Sequence, residues 1–377
     1  MFLRKIFPHH PDFLTDPKIF DAGFTFLSNI IRTRILNINA KRGPLFVIWV
    51  GTYRCNANCQ TCNTQELHGR YPENISLERA KEIAHEIGRA KTWLVGFTGG
   101  EILLWPYLFE VIKILKQYGV IVYINTNGFI LKSKVLEIID AKVDTVSVSM
   151  DSLDPKEHDE NRRRPGLSEA IAAGINLLKE KRSGKKPLIK STTVLSRKNY
   201  RNIDLLIAKL KKIVDVTTVQ PVITGYVNSP NNIEESLMSD FLVTPEQETE
   251  VSKKIKNLIK LYPDLKGFYV ENIPNYWFHR QELLKVKCWS PFLRLQIMPN
   301  GEVFHCGANP RYGAVGNIST MSLMDVWNSP EIKRHREEIR NHQNKCVCWC
   351  QDVSFNALLH KAPLANKLPV LNKRPQK

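Results

Sequence analysis

Three cysteines lie within eight residues of each other, directly after an apolar run that is typical of a buried strand. Cys55, Cys59 and Cys62 follow residues 45–51, and thiols at this spacing can converge on one metal centre. A closed structural zinc or cubane site normally takes four protein ligands, whereas a site built for chemistry leaves one position open. The triad therefore predicts an open metal centre, and a structural zinc site with a distant fourth ligand is the alternative.

Two glycines and a glutamate follow the next apolar run. Gly99, Gly100 and Glu101 come directly after residues 93–98. Glycine allows a backbone to approach a ligand closely, and a carboxylate pairs with a cation. A Gly-Gly-Glu run alone is a turn in most proteins, so its position at the end of a second strand is what makes it informative. We expect this group to bind a cationic part of a ligand beside the cysteines.

Small polar side chains also end the third and fourth strand candidates. Asn127 follows the third, and Ser149 and Asp151 end the fourth. Such groups can hydrogen-bond a ribose or a carboxylate, and Arg162 in the next loop can neutralise a carboxylate. Each is also consistent with a plain turn, a cap or a solvated charge run. We assign all four residues to the binding of a cofactor or substrate, and no residue is assigned as catalytic.

The remaining cysteines form a second group near the end of the chain. They are Cys288, Cys306, Cys346, Cys348 and Cys350. The segment between the first two reads as a β-hairpin that turns at Asn300-Gly301, which would bring Cys288 and Cys306 together. Bunched cysteines of this kind indicate metal ligation in a reducing compartment and not a disulfide framework.

Six repeats of strand and helix are predicted to position these residues. The strand candidates are residues 45–51, 93–98, 120–126, 145–150, 190–195 and 216–222, and the helical segments are residues 77–90, 108–118, 133–141, 168–181, 200–214 and 244–261. Apolar, poorly alternating strands separated by helices indicate a parallel sheet covered by helices. Six units fall short of a closed eight-stranded barrel, so we predict an α/β fold, a partial (β/α)6 TIM-like barrel, with a doubly wound sheet as the alternative. In both folds, ligands bind at the carboxyl ends of the strands.

The Cys-x3-Cys-x2-Cys spacing, followed by Gly-Gly-Glu after the next strand, resembles the signature of the radical S-adenosylmethionine (SAM) superfamily. The resemblance implies that the triad holds a [4Fe-4S] cluster whose fourth iron chelates SAM, and that Gly-Gly-Glu receives the ammonium group of SAM. It also implies reductive cleavage of SAM to a 5′-deoxyadenosyl radical, which abstracts hydrogen from an unactivated carbon. One departure concerns the adenine contact, because the residue before the third cysteine is usually aromatic in the family and is Thr61 here.

The second cysteine group resembles the SPASM/Twitch module, which carries auxiliary [4Fe-4S] clusters. Twelve residues separate Cys288 from Gly301 and four separate Gly301 from Cys306, as at the opening of that module. A full SPASM module has a longer final set of cysteines and binds two clusters, whereas this chain has a short CxCxC run. Because one cubane takes four thiolates, we predict one auxiliary cluster, held by Cys288, Cys306 and two of the last three cysteines. A structural zinc site is the alternative.

Composition and charge narrow the class of protein. Hydrophobic residues make up 43% of the chain and charged residues 24%, as in an ordinary globular protein, but the formal net charge is +17. Such a charge indicates a lysine-rich surface, an anionic membrane face or an acidic substrate. The sequence shows no motif that reads RNA or DNA, so nucleic acid is not expected as a partner. No signal peptide or membrane-spanning stretch is recognisable, so we expect a cytoplasmic protein.

Four segments are predicted along the chain. Residues 1–44 form a basic amphipathic arm, 45–264 the barrel, 265–360 the SPASM/Twitch-like domain, and 361–377 a basic tail. In the arm, apolar residues recur with helical spacing: Phe20, Phe24, Leu27, Ile31 and Ile35. Basic residues accompany this stripe, so the helix would either lie on anionic lipid headgroups or plug the bottom of the open barrel.

Three functions are left open by the sequence. The first is radical modification of a membrane lipid, such as an archaeal tetraether or another isoprenoid, by an enzyme at the inner face of the membrane; the basic arm favours it. The second is radical modification of a peptide or protein side chain, which the SPASM-like module favours. The third is a non-enzymatic iron–sulfur or zinc protein. The resemblance further implies an electron donor of the flavodoxin or ferredoxin type.

Overall fold

One sheet of nine strands runs through the part of the chain that the computed structural model describes, which is residues 17–36, 38–223, 239–286, 288–306, 313–341 and 349. The strands are β1 (Phe46–Thr52), β2 (Leu94–Gly99), β3 (Ile121–Thr126), β4 (Thr145–Ser149), β5 (Leu188–Leu195), β6 (Val216–Pro221), β7 (Arg294–Ile297), β8 (Glu302–Phe304) and β9 (Gly316–Asn317). Their order in space is β6-β5-β4-β3-β2-β1-β7-β8-β9. All pairings from β6 to β7 are parallel, and the last two are antiparallel.

The described residues also form α-helices, several of which cover one face of this sheet. They are α1 (Pro17–Asn29), α2 (Thr64–Arg70), α3 (Leu77–Arg89), α4 (Leu108–Gln117), α5 (Leu131–Asp140), α6 (Pro155–Arg162), α7 (Leu167–Lys181), α8 (Ile203–Ile213), α9 (Glu248–Leu261), α10 (Phe268–Glu271), α11 (Ile273–Phe278), α12 (Arg280–Leu283), α13 (Leu323–Trp327) and α14 (Pro330–Arg340). A π-helical segment, Ile30–Ile35, continues α1. The apolar faces of α3, α4, α5 and α7 join one strand face in a single core cluster. Among the described helices, none has the length and apolar character that crossing a bilayer requires.

The predicted partial (β/α)6 barrel is confirmed, and each of its six strands lies within two residues of the predicted bounds. The doubly wound alternative is wrong, because strands β1 to β6 follow one another in space without the reversal that defines such a sheet. Within the barrel the prediction missed two helices, α2 and α6, which are short and bury few apolar residues. It also assigned no helices to the region of α10 to α14. In α6 the only buried residue is His158, but Asp154 caps its first turn and Pro155 occupies the first helical position.

The N-terminal helix closes the amino-terminal end of the barrel. The first residues of β1, β2 and β3 share one apolar cluster with Ala22, Phe26 and Ile30. Trp289 and Phe292, which precede β7, complete this cluster. The lower end of the barrel is therefore sealed by apolar side chains, and the open end is the carboxyl edge of the strands.

The predicted apolar stripe of α1 lies on the opposite side of the helix. Three of its residues are exposed: Phe24 (58%), Leu27 (54%) and Ile31 (39%). Polar side chains occupy much of the buried face, where each finds a partner. The Asn29 amide donates to the Gly43 carbonyl at 2.7 Å, and the Arg34 guanidinium lies 4.4 Å from the centre of the Trp289 ring. The helix therefore plugs the barrel, as one alternative expected, but with a different face from the predicted stripe.

The predicted hairpin at Asn300-Gly301 is present and continues the barrel sheet. Strands β7 and β8 pair antiparallel, and Gly301 adopts a φ of +85°, which favours glycine. Strand β7 also pairs parallel with β1, from Phe46 opposite Arg294 onward. The sheet thus crosses the predicted boundary at residue 264, and the domain limits themselves stay predictions.

Candidate active site

The three clustered cysteines lie in one loop at the open end of the barrel. This loop joins β1 to α2, and all three thiol-bearing residues are partly exposed. It is fastened to α6 by Gln60, whose backbone N–H donates to the Asn161 carbonyl at 3.0 Å. Because the loop rises from the first strand and contacts the helix after the fourth, the thiols stand over the mouth of the barrel.

Burial controls the chemistry of these thiols. It raises the pKa of Cys55 to about 11 and also raises the pKa of Cys62. Both are therefore protonated at neutral pH as free thiols, and a bound metal must displace the protons. The Arg162 guanidinium, 3.9 Å from the Cys59 sulfur, adds positive charge to the site.

The donor set fits an iron–sulfur cluster by its chemistry. Cys55, Cys59 and Cys62 supply three soft sulfur donors in one loop, and thiolates are the usual protein ligands of such clusters. Within the described residues, no group of three or more His, Cys, Asp or Glu side chains is placed around a single metal ion. The assignment of the three cysteines as ligands stays a prediction.

The Gly-Gly-Glu segment lies against the backbone that leads into the cysteine loop. The Gly100 N–H donates to the Thr52 carbonyl and the Glu101 N–H to the Arg54 carbonyl, each at 2.9 Å. A Cβ on Gly99 would lie 2.0 Å from the Thr52 carbonyl oxygen, and one on Gly100 would lie 2.3 Å from that of Arg54. The two glycines therefore let the end of β2 approach the end of β1 closely enough to hold the loop.

Glu101 is fully buried and already has protein partners. Its carboxylate accepts hydrogen bonds from the Leu103 N–H at 3.0 Å, and from the Thr126 hydroxyl and the Asn127 N–H at 2.7 Å each. Burial raises the pKa of Glu101 from 4.5 to about 7, against the lowering effect of these bonds. A cation that reached this carboxylate would favour its ionised form. Glu101 thus ties β2 to β3 in addition to the ligand-binding role expected of it.

Asn127 connects this region to the cysteines. Its side-chain amide nitrogen donates to the Asn56 side chain at 2.7 Å and lies 3.8 Å from the Cys55 sulfur. Its side-chain oxygen accepts from the Phe129 N–H at 2.9 Å. The structure therefore brings Asn127 into the group it was predicted to join, where it supports the cysteine loop.

Asp151 and Arg162 form a largely hidden ion pair on the other side of the loop. The Arg162 Nε donates to Asp151 Oδ2 at 2.8 Å, and both side chains are 13% exposed. The Val194 N–H donates to the other Asp151 oxygen at 2.8 Å, which joins β4 to β5. Ser149 is the last residue of β4 and is partly exposed. Apart from Ser149, the predicted binding residues are thus linked to one another through protein contacts.

A small pocket opens beside this ion pair. Its lining residues are Thr61, Asp151, Asn161, Arg162, Val194, Ser196, Asn199 and Phe241. Thr61, which replaces the expected aromatic residue, thus faces this pocket. The sequence reading missed Ser196 and Asn199, although polar residues after a fifth strand are the same signal that identified Asn127 and Asp151.

The second cysteine group is described only in part. Cys306 is buried, Cys288 is partly exposed, and Cys346, Cys348 and Cys350 lie outside the described residues. The Ser290 N–H donates to the Cys288 sulfur at 3.4 Å, and its hydroxyl donates to the His305 carbonyl at 2.5 Å. Ser290 therefore connects Cys288 to the residue before Cys306.

Within the CxCxC run, Trp349 is the residue that the structure describes. It is fully buried in the same apolar cluster as Cys306. Its ring lies 5.0 Å from that of Tyr276 and 5.2 Å from that of Tyr269, and the Tyr269 hydroxyl donates to its carbonyl at 3.3 Å. Trp349 is thus placed on the side of the molecule that holds Cys306, whereas its chain neighbours Cys348 and Cys350 lie outside the described residues.

Comparison with known proteins identifies both parts of the chain. The family model of the radical SAM superfamily matches residues 49–224, and that of the SPASM iron–sulfur cluster-binding domain matches residues 288–352. An AdoMet-dependent heme synthase from Methanosarcina barkeri is 24% identical over 323 residues, which cover 82% of this chain and 90% of that protein.

One further protein is similar in sequence and one solved structure is similar in fold. The subtilosin biosynthesis protein AlbA from Bacillus subtilis is 24% identical over 77% of this chain, which spans 61% of that protein. The crystal structure of Streptococcus suis SuiB bound to the precursor peptide SuiA is similar in fold, with a TM-score of 0.55 and 16% sequence identity. The matched region covers 85% of this chain and 72% of the SuiB chain. The chain therefore belongs to the radical SAM superfamily, as a SPASM-containing enzyme whose cofactors are SAM and [4Fe-4S] clusters.

Proposed function

We propose that this enzyme abstracts hydrogen from an unactivated carbon of a peptide or protein side chain. Bound SAM and a reduced [4Fe-4S] cluster supply the radical that does so. In this proposal Cys55, Cys59 and Cys62 hold the cluster, and Glu101 receives the ammonium group of SAM. Arg162 places positive charge beside Cys59, where thiolates must replace thiols.

A second set of residues holds the auxiliary cluster in this proposal. Cys288 and Cys306 supply two thiolates and the CxCxC run two more, which closes one cubane. The burial of Trp349 in the apolar cluster of Cys306 supports this assignment.

The choice of a peptide substrate rests on the polar side chains that the strands direct into the barrel lumen. Ser147, Thr192 and Thr218 lie on three neighbouring strands, and their hydroxyls form a chain with O–O distances of 2.9 and 3.2 Å. Asn125 is directly opposite Ser147 in the strand register. These hydroxyls have protein partners, and the acceptor positions that they retain would stay unfilled beside a hydrocarbon chain, whereas the amide N–H groups of a peptide can donate to them. The lumen thus favours a polar substrate over an isoprenoid.

The relatives support the same class of substrate. SuiB binds a precursor peptide, and AlbA takes part in the biosynthesis of a bacteriocin. The heme synthase of Methanosarcina barkeri shows that a relative covering most of this chain acts in a different synthesis. An experiment must therefore separate peptides from tetrapyrroles as well as from lipids.

Untargeted mass spectrometry of a deletion strain tests the proposed function. We expect a peptide that carries its modification in the wild type, lacks it in the deletion strain, and regains it when the wild-type gene is restored. Complementation with the Cys59→Ala variant is the matched control and should leave the peptide unmodified, because the variant lacks a proposed cluster ligand. A deletion strain in which only tetrapyrroles or only lipids change would contradict a peptide substrate.

The exposed stripe of α1 favours a second candidate, in which the enzyme works at a membrane surface on a lipid. Phe24, Leu27 and Ile31 present an apolar strip to solvent, and Lys41 is exposed nearby in sequence. The Arg42 guanidinium lies 4.6 Å from the centre of the Phe24 ring and also forms an ion pair with Asp21. An apolar helix face bordered by basic groups is the arrangement that binds anionic lipid headgroups.

Sedimentation with lipid vesicles tests this second candidate. The anaerobic holoenzyme should sediment with vesicles of phosphatidylglycerol and phosphatidylcholine and not with phosphatidylcholine alone. Replacing Phe24, Leu27 and Ile31 together by serine should reduce the bound fraction by about tenfold or more, since three apolar side chains are lost from the contact. The matched control replaces three leucines that are exposed elsewhere: Leu136, Leu205 and Leu261. Equal sedimentation of both triple variants would exclude a role for the stripe.

A further inference from the structure

A lysine stands inside the barrel on strand β5. Lys190 is partly buried and alternates with Ile189 and Ser191, which are buried. Ile189 belongs to the core cluster between sheet and helices, so its neighbour Lys190 faces the other side of the strand, which is the lumen. In the strand register Lys190 is opposite Ser147 on β4 and Val216 on β6.

Among the described strand residues, the neighbours of Lys190 in the lumen carry hydroxyl and amide groups and no carboxylate. Ser147 and Thr192 contribute the hydroxyl pair at 2.9 Å, and Asn125 is opposite Ser147 one strand further on. Among the described residues, Lys190 makes no hydrogen bond or ion pair. Burial alone lowers the pKa of its amine to about 8, with no nearby charge opposing the shift.

Two other sheltered cations of the fold form ion pairs with carboxylates. Lys116 forms an ion pair with Asp144, and Arg182 forms one with Asp215, in both cases at the amino-terminal side of the strands. An amine held in a sheltered place without a partner lowers stability, because burial disfavours the charged form. Lys190 is therefore set apart from the structural ion pairs, and its position is suited to an anion that arrives with a ligand.

Lys190 lies on the same face of β5 as residues at the mouth of the barrel, but deeper in the lumen. Thr192 and Val194 are the next residues on the same face of β5, and Val194 lines the pocket beside Thr61 and Arg162. Two residues of a strand span about 7 Å, so Lys190 lies about 13 Å further into the barrel than Val194. A ligand that enters at the mouth can therefore present one group to the cysteine edge and another to the lysine.

We propose that Lys190 binds a carboxylate of the substrate within the lumen. The inference rests on the proposed function, since it assigns an acidic group to the peptide substrate. The charged amine has three donors for the acceptor positions of one carboxylate. The contact would select substrates by charge and fix the depth to which they enter.

Thermal unfolding of the anaerobic holoenzyme with small probes tests this inference. Glutarate carries carboxylates and glutaramide is its uncharged counterpart, so the pair isolates the effect of charge at constant ionic strength. We expect glutarate to raise the unfolding temperature of the wild type by about 2 °C at saturating concentration, and glutaramide to leave it unchanged. Glutarate should leave the Lys190→Met variant unshifted. The variant alone should be at least as stable as the wild type, because an unpartnered amine has been removed from a sheltered place.

A control variant keeps the test decisive. Lys212→Met, at an exposed position on α8, is the matched control and should respond to glutarate as the wild type does. An equal glutarate shift in the wild type and in Lys190→Met, or no shift in either, would overturn the inference.

A pair of short peptides separates this inference from the proposed function. The peptides acetyl-Gly-Glu-Gly-amide and acetyl-Gly-Gln-Gly-amide differ only in the charge of the central side chain. A shift with the glutamate peptide that requires Lys190 supports both the inference and a peptide substrate. If glutarate raises the unfolding temperature and neither peptide does, the carboxylate site at Lys190 is retained, but the result counts against a peptide substrate.

Discussion

Replacing Cys59 by alanine is expected to remove the radical SAM cluster and abolish the cleavage of SAM. Cys59 lies at the centre of the triad and is the thiol closest to a fixed positive charge, with Arg162 3.9 Å away. With two thiolates left, the cluster has lost one of its three proposed protein ligands. The loss in SAM cleavage should exceed the roughly 10–100-fold that removal of an outer partner of a metal ligand costs.

Two measurements on anaerobically reconstituted protein check this result. Iron and sulfide analysis should show a loss of about four irons per chain relative to the wild type, as expected for one cubane. Chromatography should show that 5′-deoxyadenosine no longer forms when dithionite supplies the electrons. Together they distinguish a missing cluster from a cluster that is present but inactive.

The Cys306→Ala variant is the matched control, because it removes a thiol from the second group. Cys306 lies in the apolar cluster of Trp349, which is distinct from the cluster beneath the triad. We expect a similar loss of iron but continued cleavage of SAM without substrate. If Cys59→Ala still cleaves SAM, or if both variants lose the same activity, the assignment of the two cysteine groups is wrong.

The parts of the fold that the sequence could predict depend on local patterns. Strand and helix periodicity locates the six βα units, because each element buries one face or stripe independently of its neighbours. The hairpin at Asn300-Gly301 is likewise set by a few adjacent residues, and it is present. Cysteine spacing locates the candidate metal centre for the same reason.

The parts that the sequence could not predict depend on contacts between distant segments. Helix α1 buries the face that carries Asn29 and Arg34, because Gly43 and Trp289 provide partners that periodicity does not reveal. Glu101 was expected to face a ligand, but Thr126 and Asn127 also require its carboxylate. In both cases a polar residue is buried because a hydrogen bond or a ring contact across the fold compensates for the lost water.

Within the candidate site, Arg162→Met is expected to have the second large effect, because it removes the ion pair with Asp151 that lies beside the cysteine loop. The substitution keeps much of the side-chain volume but leaves the Asp151 carboxylate sheltered without its cation. Breaking a buried ion pair in this way costs about 3–5 kcal/mol, and the partial exposure of this pair places the expected loss near about 3 kcal/mol of unfolding free energy. Denaturant unfolding of the protein measures this loss.

Function should fall together with stability, because the pair connects several parts of the site. Asp151 accepts a hydrogen bond from Val194 on β5, and Arg162 lies beside Cys59. Without the guanidinium, a thiolate at Cys59 loses its nearest cation, so reconstitution of the cluster should be slower and less complete than in the wild type. Arg162→Lys should recover part of both losses, since it restores a charge but not the forked contact.

Arg163→Met is the matched control for this prediction. The two arginines are adjacent, but Arg163 is exposed at the end of α6 and takes no part in the ion pair. Its replacement should change the unfolding free energy by less than about 0.5 kcal/mol and leave the iron content unchanged. Equal unfolding free energies for Arg162→Met and Arg163→Met would mean that the ion pair with Asp151 contributes little. The cysteine loop would then be held mainly by Gln60 and by the close contact of Gly99 and Gly100 with β1. A large loss confined to Arg162→Met would show instead that the end of β4 holds the proposed cluster ligands in place.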